Sequence, residues 1–189
     1  MIAGERIVIR PMEPDDLDYL MKWRNSPEAM NYSEHLYGFL FSRDNMMRMV
    51  ENQFREDGFF PRNKTFIVET REGEVIGDIG YKNWDPRNRT AEIGLEIGEP
   101  EYRGKGLGPE MVRLFVAYMF RHLNLNRIEL SALRENTRAI RVYGGIGFNP
   151  CGYRRQAVFN SRENRYSDIL VMDLLRSEWE AGLPEGGGQ

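Results

Sequence analysis

The sequence predicts an α/β (α+β) domain built around one mixed, mostly antiparallel sheet. Three strand-like segments separated by short turns form an antiparallel meander, a β-α-β-α alternation follows them, and two further strand candidates flank a last turn. A chain of 189 residues with 41% hydrophobic content can bury one continuous core. We detect no internal repeat and no linker. We therefore expect one domain over residues 1–180 and a disordered Gly-rich tail over residues 181–189.

The N-terminal third of the chain predicts one strand and two helices. A β-branched run, Ile7-Val8-Ile9, precedes Pro11 and Pro14, and an apolar stripe at helical spacing follows these prolines. Ser42 is suited to cap a second helix over residues 43–55, which carries a similar stripe. The two stripes consist of Leu17, Leu20, Met21 and Trp23, and of Met46, Met47, Val50 and Phe54.

The rest of the chain predicts the meander and the alternation. A turn that contains Gly73 joins the first two meander strands, and a second turn leads into the third. The expected meander strands cover residues 65–70, 75–84 and 91–97. A Gly-rich turn is followed by a helix over residues 109–123, a strand over 127–133 and a helix over 137–146. The last two strands are expected over residues 153–159 and 166–174.

Composition excludes several classes of protein. The chain has no apolar run of about eighteen residues, and Glu5 and Arg6 interrupt its start, so we expect a soluble, cytoplasmic protein that does not span a membrane. Cys151 is the single cysteine, and two histidines are too few for a typical metal centre, so no metal is expected. The formal net charge of −3 argues against nucleic-acid binding and suits a cationic small substrate.

The most informative segment is the turn Arg103-Gly104-Lys105-Gly106-Leu107-Gly108-Pro109, which lies between a strand and an amphipathic helix. We expect Pro109 at the first helical position and Gly108 at the N-cap. Bare backbone N–H groups in front of a helix dipole form a pyrophosphate site, with Arg103 and Lys105 at its rim. The alternative is a tight turn that needs glycine only for positive φ. Walker and Rossmann loops do not fit, because Gly106 follows Lys105 and no acidic residue ends the next strand.

Two motifs in register resemble the GCN5-related N-acetyltransferase (GNAT) superfamily. Arg103, Gly106 and Gly108 match its pyrophosphate loop, and the segment from Asn136 through Tyr143 to Gly147-Phe148 is similar to its later motif. Ile9-Arg10-Pro11, Ala91-Glu92-Ile93-Gly94, Tyr166, Asp168 and Met172 extend the resemblance to the RimJ/RimL-like branch, over nearly the whole chain. The resemblance implies helices on both faces of the sheet and a splayed strand pair that holds acetyl-CoA. It also implies direct acetyl transfer from acetyl-CoA to a primary amine.

The resemblance further implies roles for particular residues. It assigns the CoA pyrophosphate to Arg103, Gly104, Lys105, Gly106, Leu107 and Gly108, and places Asn136 near the CoA arm. Backbone N–H groups near Leu95 and Ile97 would bind the pantetheine arm and polarise the thioester. Tyr143 occupies the position of a general acid for the departing thiolate, although its place in an apolar stripe also suits a core aromatic. Asn136 is equally suited to cap the following helix.

The general base is less well defined by the sequence. Glu92 lies in the strand just before the glycine turn, where it is expected at the mouth of the splay. From there it is suited to take the amine proton through a water. Ser131 lies on the opposite strand and is suited to order a water rather than to act as a strong base. Many strand glutamates are solvated surface residues, and a reaction without a dedicated base also stays open.

The acceptor is expected beside residues 31–41, where Tyr32, Glu34 and Tyr37 combine aromatic faces with a carboxylate and so suit a cation. This stretch has a partial likeness to spermidine N-acetyltransferases, but residues 80–84 lack the acidic side chains of those enzymes. A polyamine, a peptide N-terminus, an aminoglycoside or a sugar amine are therefore all open as acceptors. A non-catalytic acyl-CoA-binding domain is the alternative from another class. The aromatic residues also suit core packing or a homodimer contact.

Overall fold

The computed structural model describes residues 1–32, 40–51, 54, 61–160 and 163–183. These residues form a sheet of eight strands in the order β1-β2-β3-β4-β5-β6-β8-β7. The strands are β1 (Ile2–Ala3), β2 (Ile7–Pro11), β3 (Lys64–Thr70), β4 (Val75–Asp85), β5 (Thr90–Ile97), β6 (Arg127–Leu133), β7 (Asn149–Asn160) and β8 (Arg165–Leu175). The helices are α1 (Leu17–Arg24), α2 (Arg43–Val50), α3 (Leu107–Arg121), α4 (Thr137–Gly144) and α5 (Arg176–Ala181). Neighbouring strands are antiparallel except for β5 and β6, so the predicted fold class is confirmed.

Helices cover both faces of the sheet, and β3 shows why. Successive side chains of a strand point to opposite faces. Phe66 and Val68 join the core beneath α3, where the Phe66 and Phe115 rings lie 5.4 Å apart. Ile67 packs with α1 and α2 on the other face. The near-continuous hydrophobic run in β3 therefore reflects a strand that is buried on both sides.

The only parallel pair among the described strands separates after three residue pairs. Thr90, Ala91 and Glu92 of β5 lie opposite Arg127, Ile128 and Glu129 of β6. Beyond Glu92, β5 stays paired with β4 as far as Ile97, while β6 stays paired with β8 as far as Leu133. The gap between the two strands is the splay that the family resemblance implied.

The helix after the glycine turn begins earlier than expected. Its N-cap is Gly106 and not Gly108, and Pro109 lies at the third helical position rather than the first. Gly106 has a φ of 80°, a left-handed conformation that ends the turn and starts the helix. Pro109 is tolerated there because the N–H groups of the first turn have no acceptor within the helix.

Other boundaries differ for local reasons. The second helix, α2, ends at Val50 rather than at residue 55, and residues 52–53 and 55–60 lie outside the described part. The helix α4 stops at Gly144, where two consecutive glycines each disfavour helix by about 1 kcal/mol. The short strand β1 and the helix α5 were not predicted, and the predicted tail over residues 181–189 lies mostly outside the described residues. None of the helices in the described ranges is long and apolar enough to cross a membrane.

Candidate active site

Two clefts meet at the splay between β5 and β6. The first, which we call the loop cleft, has a volume of about 670 Å³ and lies between the glycine turn, β5 and the start of α4. The second, the strand cleft, has a volume of about 570 Å³ and is bounded by β4, β5 and β6. The residues common to both linings are Ala29, Leu95, Glu96, Asn136 and Tyr143. A molecule in the loop cleft can therefore meet a second molecule in the strand cleft at these residues.

The backbone of the glycine turn is held in place from outside the loop cleft. Gly104 and Gly106 both have a φ of 80°. Arg6, in the turn between β1 and β2, donates hydrogen bonds to the carbonyl oxygens of Lys105 at 3.0 Å and Gly106 at 2.9 Å. Glu110 in α3 accepts from the Arg6 Nε at 2.9 Å and so orients this guanidinium. Sequence reasoning missed Arg6, because no local pattern indicates that it contacts residues about a hundred positions away.

Three cationic side chains lie around the turn, and two of them were expected from the sequence. The Arg103 side chain turns back and donates to the carbonyl oxygens of Ile97 at 2.8 Å and Gly98 at 3.2 Å. Lys105 is exposed, and its Nζ lies 5.1 Å from the centre of the Tyr102 ring. Arg138 in the first turn of α4 lines the loop cleft beside Gly104, and sequence reasoning missed it. Arg103 and Arg138 both line the loop cleft, so the role expected for Arg103 stays a prediction and Arg138 is a further candidate to bind a phosphate.

The last residues of β5 present backbone groups to the gap. Gly98 donates its N–H to the Ile76 carbonyl oxygen of β4 at 2.9 Å. Backbone groups of successive residues point to opposite sides of a strand, so the N–H groups of Ile97 and Leu95 point away from β4. The hydrogen bond from Arg103 to the Ile97 carbonyl oxygen agrees with this orientation. Leu95 and Ile97 both line the loop cleft, as a backbone site for an extended ligand requires.

Tyr143 lies where the two clefts join. Its ring packs edge-on against Phe148 with 6.2 Å between the centroids, and its hydroxyl makes no hydrogen bond to the described residues. Burial raises the pKa of Tyr143 to about 12. The phenol therefore keeps its proton throughout the physiological pH range. It can donate a hydrogen bond to a negative charge that develops beside it.

The other sequence-predicted polar residues fall around the same junction. Asn136 caps α4, since its Oδ1 accepts from the Ala139 N–H at 3.2 Å, and it also lines both clefts. Glu92 lies at the last paired position before the splay and forms an ion pair of 3.0 Å with Lys82. Ser131 lines the strand cleft and accepts a hydrogen bond from Arg154 at 3.3 Å.

A buried ionic cluster that the sequence analysis did not identify lies at the inner end of the strand cleft. Arg24 of α1 donates to Asp78 Oδ1 at 2.8 Å and to Glu96 Oε2. Burial raises the pKa of Asp78, although Arg24 opposes this shift, and it raises the pKa of Glu96 to about 7. The signal in the sequence is an acidic residue within an apolar strand segment, as in Ile76-Gly77-Asp78-Ile79 and Leu95-Glu96-Ile97.

The structure describes only part of the predicted acceptor wall, by which we mean Tyr32, Glu34 and Tyr37. Tyr32 ends a short 3-10 helix, Ala29–Tyr32, and Ala29 of this helix lines both clefts. Glu34 and Tyr37 lie outside the described residues. Their expected contacts with an acceptor therefore stay predictions.

Comparison with known proteins identifies the family. Residues 6–149 match the family model described as the acetyltransferase (GNAT) domain. The chain belongs to the GNAT family. It is 30% identical to the spermidine N(1)-acetyltransferase of Escherichia coli K12, over 96% of this chain and 92% of that protein. It is 34% identical to the putative ribosomal N-acetyltransferase YdaF of Bacillus subtilis strain 168, over 94% of this chain and 96% of that protein.

A solved structure also resembles this GNAT protein over nearly its full length. The spermidine N-acetyltransferase from Vibrio cholerae in complex with CoA and spermine superposes with a TM-score of 0.82 at 25% identity. The match covers 94% of this chain and 99% of that chain. Together with the family match, it shows that this chain is an acetyl-CoA-dependent N-acetyltransferase.

The loop cleft of this GNAT enzyme suits acetyl-CoA by its chemistry. Gly104 and Gly106, both in left-handed conformations, present bare backbone to the cleft, and the fifteen-residue helix α3 begins directly after the turn. Arg138 adds a positive charge for the phosphates, and the N–H groups of Leu95 and Ile97 suit the amide-rich pantetheine arm. These residues would hold acetyl-CoA, which supplies the activated acetyl group, with the thioester near Tyr143.

A substitution at Gly106 tests the turn as the pyrophosphate site. Gly106→Ala should weaken acetyl-CoA binding by about tenfold or more, because a Cβ strains this residue at positive φ and would lie 3.6 Å from the Arg6 guanidinium that holds the turn. Isothermal titration calorimetry with acetyl-CoA measures this change.

Gly73→Ala is the matched control. Gly73 also has positive φ, and a Cβ there meets nothing within 4 Å, but it lies in the distant β3–β4 turn. This variant should lose a similar free energy of unfolding, about 1–2 kcal/mol, and keep its acetyl-CoA affinity. Equal affinity of folded Gly106→Ala and wild-type protein would remove the turn from the binding site.

Tyr143→Phe tests the role of the hydroxyl. The substitution keeps the ring contact with Phe148, so we expect acetyl-CoA affinity to be unchanged and kcat to fall by about tenfold or more. Tyr118→Phe removes a partly buried hydroxyl outside both clefts and should leave kcat unchanged. Thiol-release assays of both variants at saturating acetyl-CoA distinguish these outcomes, and an unaltered kcat for Tyr143→Phe would assign the proton to another group.

Proposed function

We propose that this enzyme acetylates a small cationic amine of the polyamine class. The observation that carries the proposal is the charge at the inner end of the strand cleft, where two carboxylates, Asp78 and Glu96, face the single guanidinium of Arg24. A negative excess that is buried beside the reaction centre favours a protonated amine over a neutral acceptor. The similarity to spermidine N-acetyltransferases supports the same class of acceptor.

The proposed reaction follows from the arrangement of the two clefts. Acetyl-CoA enters the loop cleft and its thioester lies in the gap beyond Glu92, where the N–H groups of Leu95 and Ile97 polarise the carbonyl. The amine approaches through the strand cleft and attacks the carbonyl carbon. As the C–S bond breaks, Tyr143 donates a hydrogen bond and then its proton to the departing thiolate.

The high pKa of Tyr143 constrains this last step. A thiol ordinarily has a pKa of about 8.5, so complete proton transfer from a phenol with a pKa of about 12 is unfavourable in isolation. The step becomes favourable when the nitrogen of the tetrahedral intermediate, which is positively charged, returns a proton to the phenolate. Tyr143 then acts as a relay, and its high pKa keeps it protonated between turnovers.

The proposed acceptor wall of Tyr32, Glu34 and Tyr37 would bind the distal part of the amine. An aromatic pair with a carboxylate binds a second ammonium group better than a methyl terminus. The main alternative is a peptide N-terminus, which the similarity to the putative ribosomal N-acetyltransferase favours. A panel of acceptors separates the two, because a peptide acceptor depends on residues after the first.

The test measures kcat/KM for spermidine, an uncharged-tail monoamine of the same chain length, a lysine derivative, glucosamine and several short peptides. We expect spermidine to exceed the matched monoamine by about tenfold or more, because the monoamine lacks the second charge. The advantage should shrink with added salt if the distal site is solvent-exposed. Activity confined to peptides would overturn the polyamine proposal, and binding of acetyl-CoA without thiol release for any amine would favour a non-catalytic domain.

A further inference from the structure

The ionic cluster at the inner end of the strand cleft has an unusual arrangement within the sheet. Asp78 of β4 and Glu96 of β5 lie directly opposite each other in the antiparallel pair. Like charges at opposed positions destabilise a sheet. Both side chains are largely buried, with 4% of the Asp78 side chain and 11% of the Glu96 side chain exposed. The fold therefore carries a repulsive pair of carboxylates at a position where most strands carry apolar residues.

One cation compensates these two carboxylates only partly. Arg24 binds Oδ1 of Asp78 and Oε2 of Glu96. The other two oxygens, Asp78 Oδ2 and Glu96 Oε1, are buried and accept no hydrogen bond from any described residue. The cluster has a charge of −1 when both carboxyl groups are ionised. A buried negative excess is costly unless it gains a proton or a cationic ligand.

The position of the cluster connects it to the reaction. Glu96 lines both clefts, together with Tyr143, while Asp78 lines the strand cleft. The Leu95 side chain packs against the core beneath α3, so the side chain of the next residue, Glu96, lies on the opposite face of β5, where it contacts Arg24 of α1. Arg24 and Val50 of α2 line the strand cleft on this face. The carboxylate is therefore on the side from which an amine in the strand cleft reaches the thioester.

We propose that Glu96 is the general base that accepts the proton of the acceptor ammonium, with Asp78 and Arg24 as positioning residues. The proposal rests on the proposed function only in that the acceptor arrives as an ammonium ion. It differs from the expectation for Glu92, because Glu92 lines the strand cleft alone, whereas Glu96 lines both clefts and has one buried oxygen without a described partner.

The proton balance of the reaction is complete with these groups. The ammonium transfers one proton to Glu96, directly or through one water, and becomes a neutral amine. Its lone pair forms the N–C bond to the acetyl carbon, and the C–S bond breaks. The thiolate takes the Tyr143 proton, the nitrogen gives its next proton back to Tyr143, and Glu96 later releases its proton to solvent. The products are the amide, CoA thiol and one proton.

The surroundings of Glu96 suit this role. Burial is the largest influence and raises its pKa, Arg24 lowers it, Asp78 raises it further and Arg103 lowers it, with the result near 7. A general base works best when its pKa lies close to the working pH. The other charged or titratable residues that line the clefts with Glu96 are Glu28, Lys64, Tyr81, Lys82, Glu92, Glu135, Arg138 and Tyr143.

The pH dependence of kcat/KM tests the proposal, with spermidine as acceptor and saturating acetyl-CoA. A base with a raised pKa is inactive while protonated, so log kcat/KM should rise with unit slope up to about pH 7 and then level. The level region should extend to the pKa of the amine, about 10. In Glu96→Gln, kcat/KM at pH 7 should fall by about tenfold or more, and the plateau should be replaced by a continuous rise up to the amine pKa, since only neutral amine reacts.

Three variants separate a proton acceptor from a structural residue. Glu92→Gln should keep the break near pH 7, and Glu96→Asp should restore it at reduced rate. Asp78→Asn should move the break down by about half a unit or more, because it removes a neighbouring negative charge. Thermal unfolding with and without acetyl-CoA confirms that each variant is folded. A break that persists in folded Glu96→Gln, or that disappears in Glu92→Gln instead, would overturn the proposal.

The same measurement separates failure of this inference from failure of the polyamine proposal. If only peptides are accepted, the profile is recorded with a short peptide whose amine has a lower pKa. The break near pH 7 belongs to the enzyme and should stay, while the upper limit should follow the new amine. A lower break that moves with the acceptor would rule out Glu96 as its source.

Discussion

The separation of β5 from β6 after Glu92 is the constraint on which the rest of the site depends. A strand that leaves its partner exposes N–H and C=O groups that would otherwise be paired, and each such group costs about 1–3 kcal/mol if it is buried without a partner. Arg103 satisfies the carbonyl oxygens of Ile97 and Gly98. The N–H groups of Leu95 and Ile97 remain directed into the gap. The fold thus provides preorganised donors for a thioester without any dedicated side chain.

The glycine turn applies the same principle to phosphates. Glycine adopts the left-handed conformation with little strain because it has no Cβ. The absence of a side chain also lets a ligand approach the backbone closely. Glycine is also flexible, however, and a flexible turn would lose entropy on binding. The contacts from Arg6 to the Lys105 and Gly106 carbonyl oxygens, with Glu110 behind Arg6, restrain the turn before a ligand arrives. Part of the rigidity of the glycine turn therefore comes from a residue about a hundred positions away in the sequence, which the local motif does not include.

The cluster of Arg24, Asp78 and Glu96 links stability to chemistry. Buried ion pairs contribute little to stability, because desolvation offsets the Coulomb attraction, and a second carboxylate worsens the balance. The desolvation cost of this cluster falls close to Tyr143. Glu96 and Tyr143 both have raised pKa values, and both line the two clefts. In the proposed reaction these two groups have opposite tasks, since Glu96 accepts a proton from the amine and Tyr143 gives one to the thiolate.

The sequence by itself determined the fold class, the family and much of the loop cleft. The reason is that periodicity and glycine spacing are local: the meander, the amphipathic face of α3 and the Asn136 cap each depend on residues within one element or its neighbour. The start of α3 was predicted two residues late, because Pro109 is tolerated anywhere in the first turn and only the backbone conformation of Gly106 identifies the cap.

Only the tertiary structure decided which charged side chains meet. Arg6 reaches the glycine turn, and Arg24 joins Asp78 and Glu96, through contacts between residues that are far apart in the sequence. In the sequence, Asp78 and Glu96 are isolated acidic residues in two apolar strands. Their importance depends on the register of β4 against β5, which places them opposite each other, and on the packing of α1 over that face. Register and packing are long-range properties, and no local pattern specifies them.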